Sequence, residues 1–136
     1  MNLPSHLSGI EAKGLIHGEP IAQFEIGDFR NLVYLVLDWK SRTAGIVDPQ
    51  SDLIKPLEAL SQNGFRLTTI LLTHTHWDHI AGVPELIRSF PNTQLVIHGM
   101  DLHRLPEEVR SYGGIIKATN HLTVRIGKTS LQVIHT

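Results

Sequence analysis

Three histidines and one aspartate lie within six consecutive residues near the middle of the chain, in the segment His74-Thr75-His76-Trp77-Asp78-His79. Imidazole nitrogens and carboxylate oxygens are the ligands that hold zinc, iron or manganese in hydrolytic and oxygen-using sites. The preceding residues 67–73 are apolar and β-branched, which predicts a buried strand. Because ligands in an α/β fold bind beyond the carboxyl ends of the strands, the pattern predicts a metal site at the end of a sheet.

The spacing within this segment favours two metal ions. Alternate side chains of an extended backbone share a face, so His74 and His76 are expected to converge on one ion. Asp78 and His79 follow after a turn and are better placed to reach a second ion. Two ions about 3.5–4 Å apart can share one water and lower its pKa. The alternative is a polar loop that is rich in histidine and binds no metal.

Composition and charge narrow the class of protein. The chain has 136 residues, of which 41% are hydrophobic and 18% charged, as in an ordinary globular domain. A net charge of −1 without a basic run argues against nucleic acid or an anionic membrane as a partner. There are no cysteines, so metal ligands must be histidines and carboxylates. No apolar stretch approaches the ~20 residues of a membrane span and no signal peptide is visible, so we expect a cytoplasmic protein.

Hydrophobic periodicity predicts a mixed α and β fold. Residues 1–20 show no clear period and are expected to form an N-terminal extension. The run over residues 32–37 is continuously apolar, which predicts a strand buried on both faces. Other strands are predicted over 21–27, 43–47, 67–73 and 93–98, with a terminal hairpin over 122–127 and 130–134. The predicted helices are one marked by Leu53, Ile54, Leu57 and Leu60 that ends at Asn63-Gly64, one that starts near Pro84, and a broken one around Pro106.

The metal segment and its surroundings resemble the metallo-β-lactamase superfamily. Residues 74–79 match that family's His-x-His-x-Asp-His signature. The order of an Asn31-Leu-Val-Tyr strand, an Ala44-Gly-Ile-Val-Asp48-Pro49 segment, a helix and the motif strand is similar to the glyoxalase II-like thioester hydrolases. The resemblance covers a domain of residues 21–136 and implies the family's αββα sandwich, of which this chain would be the N-terminal half. The strand order and the terminal hairpin fit the first sheet of that sandwich.

The resemblance also implies which residues bind metal. His74 and His76 would share one ion with a third histidine from a later Pro-Gly-His segment, and the chain ends just before that place. Asp78, which is also the predicted catalytic residue, would share a second ion with His79, a bridging aspartate and a further histidine. The expected cofactor is zinc, as two ions in the complete family site, with iron or manganese as alternatives. With two ligands per ion, we expect the chain alone to bind metal weakly and to be inactive.

Three functions remain open from the sequence. The favoured one is a metal-dependent hydrolase in which a metal-bound hydroxide attacks a small-molecule thioester, as the resemblance to glyoxalase II implies. The second is an iron-dependent persulfide dioxygenase that uses His74 and His76 with the missing histidine. The third is a non-catalytic half-domain that associates with a partner.

Outside the motif, Asp48 and His98 have two interpretations each and Gly82 has one. Asp48 either caps the next helix or lies beside the metal ligands and orients them, as an aspartate does at the matching place in the family. His98 closes a strand that should run parallel to the motif strand, so it either approaches the site or has a structural role. Gly82 is expected to give room for a close backbone approach.

Self-association is the remaining expectation. If the chain is one half of a sandwich, one face of its sheet lacks its usual cover, and the side chains at issue include Val33, Leu35, Leu71 and Val96. Apolar burial contributes roughly 25 cal/mol per Å², so a bare face favours dimerisation or aggregation.

Overall fold

The computed structural model describes residues 15–26, 31–73 and 81–134. The strands of this part are β1 Ile21–Ile26, β2 Asn31–Asp38, β3 Thr43–Val47, β4 Arg66–Leu71, β5 Gln94–His98, β6 Ile115–Ala118, β7 Thr123–Ile126 and β8 Thr129–Gln132. Its helices are α1 Ile54–Gln62, α2 Val83–Ser89, a 3₁₀-helix at Gly99–Arg104 and α3 Glu107–Arg110. The mixed α and β prediction is confirmed. None of the helices in these ranges is long and apolar enough to cross a membrane.

Six strands form one sheet in the order β1-β2-β3-β4-β5-β6. The pairs β1–β2 and β2–β3 are antiparallel, whereas β3–β4, β4–β5 and β5–β6 are parallel. Parallel neighbours need crossover connections, and α1 and α2 lie in the connections on either side of β4. The carboxyl ends of β3 to β6 therefore meet at one edge of the sheet, where the sequence predicts the metal segment.

The helices cover one face of this sheet and the hairpin β7–β8 lies on the other. The core under the helices joins strand residues Val33, Leu35, Ile46, Ile70 and Leu95 to helix residues Leu60 and Leu86. On the opposite face, Val124 of the hairpin packs with Val96 and Ala118. The hairpin is confirmed, but it forms a separate two-stranded sheet and does not extend the first one. It crosses the face of the sheet because its apolar side chains then cover strands that an edge position would leave bare.

This arrangement corrects two expectations about exposure. Val33, Leu35 and Val96 are buried within the single chain, so they are not part of a bare face. Strand β2 is nevertheless not buried on both faces, because Leu32 is 40% exposed and Tyr34 is 36% exposed. Both side chains lie on the hairpin side of the sheet, beyond the area that the hairpin covers.

The helices follow their predicted signals with one exception. Helix α1 ends at Gln62 with Asn63 as its C-cap, and Gly64 has the left-handed φ of 72° that favours glycine after a helix. Its buried residues are Pro56, Ala59 and Leu60, whereas Ile54 is 66% exposed, so the prediction that Ile54 faces the core is wrong. A helix turns by 100° per residue, and the face that buries Pro56 and Leu60 cannot also bury Ile54.

Strand β6 was not predicted. It has four residues and no alternation of polar and apolar side chains, and it follows Gly113-Gly114 directly. Pairing with β5 stabilises the extended conformation, which the local sequence of β6 does not indicate. This pairing begins with a 2.9 Å hydrogen bond from the Leu95 N–H to the Gly114 carbonyl.

Asp38 connects the two sheets by hydrogen bonds, at the end of the large sheet opposite the predicted metal segment. Its carboxylate accepts hydrogen bonds from the Thr129 hydroxyl at 2.8 Å, from the Ser41 N–H at 3.0 Å and from the Ser41 hydroxyl. The hydroxyls of Ser41 and Thr129 hold the pKa of Asp38 at about 2. Gly127, with a φ of 59°, passes so close that an added Cβ would lie 2.3 Å from the carboxylate.

The lowered pKa predicts an acid dependence of stability. A carboxyl group whose pKa is lowered by folding stabilises the native state above its unfolded pKa of 3.8, and this contribution is lost as the pH falls towards 2. The free energy of unfolding of Asp38→Asn should therefore fall less steeply between pH 4 and pH 2 than that of the wild type. Urea denaturation across this range measures the slope, with the exposed Asp52→Asn as control. Identical slopes for wild type and Asp38→Asn would contradict the prediction.

Candidate metal centre

The predicted ligands His74, His76, Asp78 and His79 lie outside the described residues, which stop at Thr73 and resume at Ala81. Their role remains a prediction. In ranges 15–26, 31–73 and 81–134, no three histidines or carboxylates come together as a metal site. No competing metal centre is therefore present in the part of the chain that the structure describes.

Leu72 and Thr73 lead from strand β4 to the predicted segment. Strand β4 ends at Leu71, and the Leu72 N–H donates to the Val96 carbonyl of β5 at 2.9 Å. On the other side of β4, the Asp48 N–H donates to the Leu71 carbonyl at 2.9 Å. The chain thus reaches Thr73 between two parallel neighbours at the carboxyl edge of the sheet, which is the predicted position.

Asp48 holds Thr73 directly. Its carboxylate accepts a hydrogen bond from the Thr73 N–H at 2.8 Å and another from the Thr73 hydroxyl. Asp48 is buried and has a φ of 49°, a conformation that aspartate and asparagine tolerate better than most residues. The interpretation that Asp48 caps the next helix is wrong, because α1 starts after Leu53 and has no side-chain cap.

The other flank of the segment is held by the residues that follow Asp48. The Gly82 N–H donates to the Pro49 carbonyl at 3.0 Å. A Cβ built on Gly82 would lie 2.1 Å from the Gln50 carbonyl oxygen and 2.7 Å from the Leu53 side chain. The predicted need for backbone room at Gly82 is confirmed, and the approaching group is the backbone of Gln50.

Residues 48–50 therefore contact Thr73, which precedes the predicted ligand segment, and Gly82, which follows it, and we call residues 48–50 the anchor. Sequence reasoning identified Asp48 and Gly82 but missed Pro49 and Gln50. Sequence patterns gave no signal for these two, because their contact with residue 82 is not local. The anchor therefore contacts the chain on both sides of the four predicted donors.

His98 has the structural role that was one of its two interpretations, whereas its approach to the predicted metal site stays a prediction. It closes β5, and its Nδ1 accepts a hydrogen bond of 3.2 Å from the Met100 N–H at the start of the 3₁₀-helix. His98 also lines a cleft of about 550 Å³ at the carboxyl ends of β4, β5 and β6. Thr73, Asp101 and Gln132 are polar residues of the same cleft, and its apolar lining includes Val96 and Val133.

The available residues fit a bound divalent metal. The predicted donors are imidazoles and a carboxylate, which suit zinc, iron and manganese. Ligating residues need neighbours that orient them, and the anchor provides buried, hydrogen-bonded support at both flanks.

Curated relatives point to one kind of protein. The chain is 38% identical over 76 residues to a hydroxyacylglutathione hydrolase of a Synechococcus species, which covers 56% of this chain and 29% of the relative. It is 41% identical over 80 residues to the protein of the same name from Actinobacillus pleuropneumoniae serotype 5b, covering 58% of this chain and 30% of the relative. The aligned part thus spans less than a third of the length of these relatives.

Solved structures share the fold. A crystal structure of the BLEG-1 B3 metallo-beta-lactamase superposes with a TM-score of 0.67 at 26% identity, covering 85% of this chain and 61% of that one. The crystal structure of ETHE1 from Myxococcus xanthus gives a TM-score of 0.66 at 21% identity, covering 82% and 46% of the two chains.

A family model decides the classification. The model of the metallo-beta-lactamase superfamily, whose members bind divalent metals, matches residues 26–136. This range includes the six-stranded sheet from β2 onward, the anchor, the predicted ligand segment and the hairpin. The chain belongs to the metallo-beta-lactamase superfamily.

Proposed function

We propose that this protein is a metal-dependent hydrolase that cleaves a thioester of the hydroxyacylglutathione class. The observation that carries the proposal is the anchor, which holds both flanks of a segment rich in metal donors at the carboxyl edge of a parallel sheet. The substrate class is supported by the hydroxyacylglutathione hydrolases that are 38% and 41% identical over the aligned residues.

In this proposal the chain's own residues hold and orient the metals. His74 and His76 bind one divalent ion, and Asp78 and His79 contribute to a second, with zinc as the preferred metal. When bound, such ions act as Lewis acids that activate water and stabilise negative charge on the carbonyl oxygen. Asp48 orients the start of the ligand segment through Thr73, and Pro49 orients its end through Gly82.

The cleft beside Thr73 supports a small-molecule substrate. Its volume of about 550 Å³ lies within the range of ligand sites in proteins. Its lining is mainly apolar, and His98, Asp101 and Gln132 add polar groups to it. An acyl or thiol portion of a thioester would lie against this surface, next to the residues that lead into the metal segment.

The proposal is tested by substituting a predicted ligand. In the protein expressed from its complete reading frame, His76→Ala should lower kcat/KM for a hydroxyacylglutathione thioester by more than ~100-fold, because a direct ligand matters more than the supporting residues around it. Zinc content and zinc affinity, measured by calorimetry, should fall together with activity. His103→Ala is the matched control, since His103 is exposed on the 3₁₀-helix.

Other outcomes would identify the alternatives. Oxygen consumption with a persulfide, without thioester hydrolysis, would indicate the iron-dependent dioxygenase. Zinc binding without turnover of either substrate would indicate the non-catalytic half-domain. Equal zinc affinity of wild type and His76→Ala would refute the metal assignment itself.

A further inference from the structure

Gln50 is a buried polar residue whose side chain has unused hydrogen-bonding capacity. It is 5% exposed, and its amide nitrogen has no hydrogen-bond partner among the described residues. Buried polar groups are nearly always paired, because a donor that is removed from water and left alone costs free energy. An unpaired buried donor in an otherwise well-packed region therefore calls for a functional explanation.

The position of Gln50 in the anchor indicates what that function is. Two residues earlier, Asp48 binds Thr73, which directly precedes the predicted ligand segment. The preceding residue, Pro49, accepts the N–H of Gly82, which closely follows that segment. The backbone of Gln50 packs against Gly82 so tightly that no side chain fits there. Its location is therefore fixed relative to both flanks of the segment.

An apolar side chain at position 50 would avoid the free-energy cost of a buried, unpaired amide. Leu53, whose side chain also approaches Gly82, is buried and apolar. Carboxylates and carbonyls around a metal commonly accept hydrogen bonds from residues that do not touch the ion, and these bonds orient the ligands. A side-chain amide provides such a donor and carries no charge that titrates or repels the cation.

We propose that Gln50 is a positioning residue for metal binding, whose buried amide N–H donates a hydrogen bond in the metal-bound protein that it does not make within the described part of the metal-free chain. The inference rests on the proposed metal site and deepens it. The hydrogen bond supports the ligands in their binding geometry, so its energetic benefit appears in the metal complex and not in the metal-free chain.

The test is the substitution Gln50→Met, which keeps the length and approximate volume of the side chain and removes the donor. Zinc affinity, measured by calorimetry in competition with a chelator, should fall about 10-fold. The melting temperature of the metal-free chain should stay equal or rise, because an unpaired buried amide has been replaced by an apolar group. Gln62→Met is the control, since Gln62 is exposed at the end of α1, and it should change neither quantity.

A spectroscopic measurement separates positioning from general stability. Cobalt substituted for zinc absorbs visible light in a way that depends on its coordination geometry. The visible band of the cobalt-loaded Gln50→Met variant should therefore shift or broaden relative to wild type, whereas that of Gln62→Met should not. Gln50→Leu provides a second apolar variant if the methionine variant does not fold.

The outcomes distinguish this inference from the proposed function. Unchanged zinc affinity and an unchanged cobalt band in a folded Gln50 variant would overturn the positioning role and leave the metal site intact. A lowered melting temperature of the metal-free chain with unchanged affinity would show a purely structural role and would also overturn it. Failure of the wild-type protein to bind zinc would overturn the metal site and this inference together.

Discussion

The substitution Gly82→Ala is expected to lower the free energy of unfolding by about 3 kcal/mol, at the upper end of the usual cost of overpacking. An added Cβ would lie 2.1 Å from the Gln50 carbonyl oxygen, a distance at which the groups must move apart. The obstacle is backbone and cannot be avoided by a change of rotamer. Moving it would also strain the hydrogen bond between the Gly82 N–H and the Pro49 carbonyl. Urea denaturation of the metal-free chain measures the loss.

Gly113→Ala is the matched control for this prediction. No atom lies within 4 Å of a Cβ built on Gly113, so the same chemical change meets open space. Its effect should stay within about 0.5 kcal/mol, as for most surface substitutions. If both variants lost the same stability, the cost would come from glycine replacement in general and not from the anchor.

The second large effect is expected from Asp48→Asn. Asparagine tolerates the φ of 49° at this position, so the substitution tests the carboxylate without adding backbone strain. Only one side-chain oxygen remains to accept from Thr73, and the new amide NH₂ meets a hydroxyl that formerly donated to the carboxylate. We expect zinc affinity to fall about 10- to 100-fold, the usual cost of losing a residue that orients metal ligands. Competition with a chelator measures the affinity.

Two further variants define the origin of that loss. Thr73→Val removes only the hydroxyl and keeps the bond between the Thr73 N–H and Asp48, so it should cost less affinity than Asp48→Asn. Asp52→Asn removes an exposed negative charge from the same connection and should have no effect on affinity. An equal loss for Asp52→Asn would mean that the general negative charge near the site matters, and not the bond to Thr73.

Several parts of the fold were predictable because their signals are local. The strand at Thr43–Val47 has the bounds expected from its apolar pattern, and the helix at Val83–Ser89 starts beside Pro84 as predicted. The end of α1 follows from Asn63-Gly64. The turn between β7 and β8 follows from Gly127, whose φ is positive. In each case the residues that define the element are neighbours in the sequence, and their propensities act without help from the rest of the chain.

Other features depended on contacts between distant residues. Strand β6 exists because β5 offers it a parallel partner, and no pattern within its four residues indicates a strand. The burial of Asp38 depends on Thr129, which is 91 residues further along the chain. The exposure of Ile54 depends on which side of α1 faces the sheet, and that side carries Pro56, Ala59 and Leu60.

The sequence by itself determined the family and the predicted ligand chemistry, because four donors in a fixed spacing form a motif that is complete within residues 74–79. It also identified Asp48 and Gly82 as residues of interest, but not what they contact. Only the tertiary structure decided that Asp48 binds Thr73, that Pro49 binds Gly82 and that Gln50 is buried beside them with an unused donor. The physical reason is that the anchor consists of residues 48–50, which follow β3, whereas the residues that it contacts, Thr73 and Gly82, flank the ligand segment after β4. Parallel pairing of β3 and β4 brings these together across more than twenty positions of sequence, and no local pattern records such a pairing.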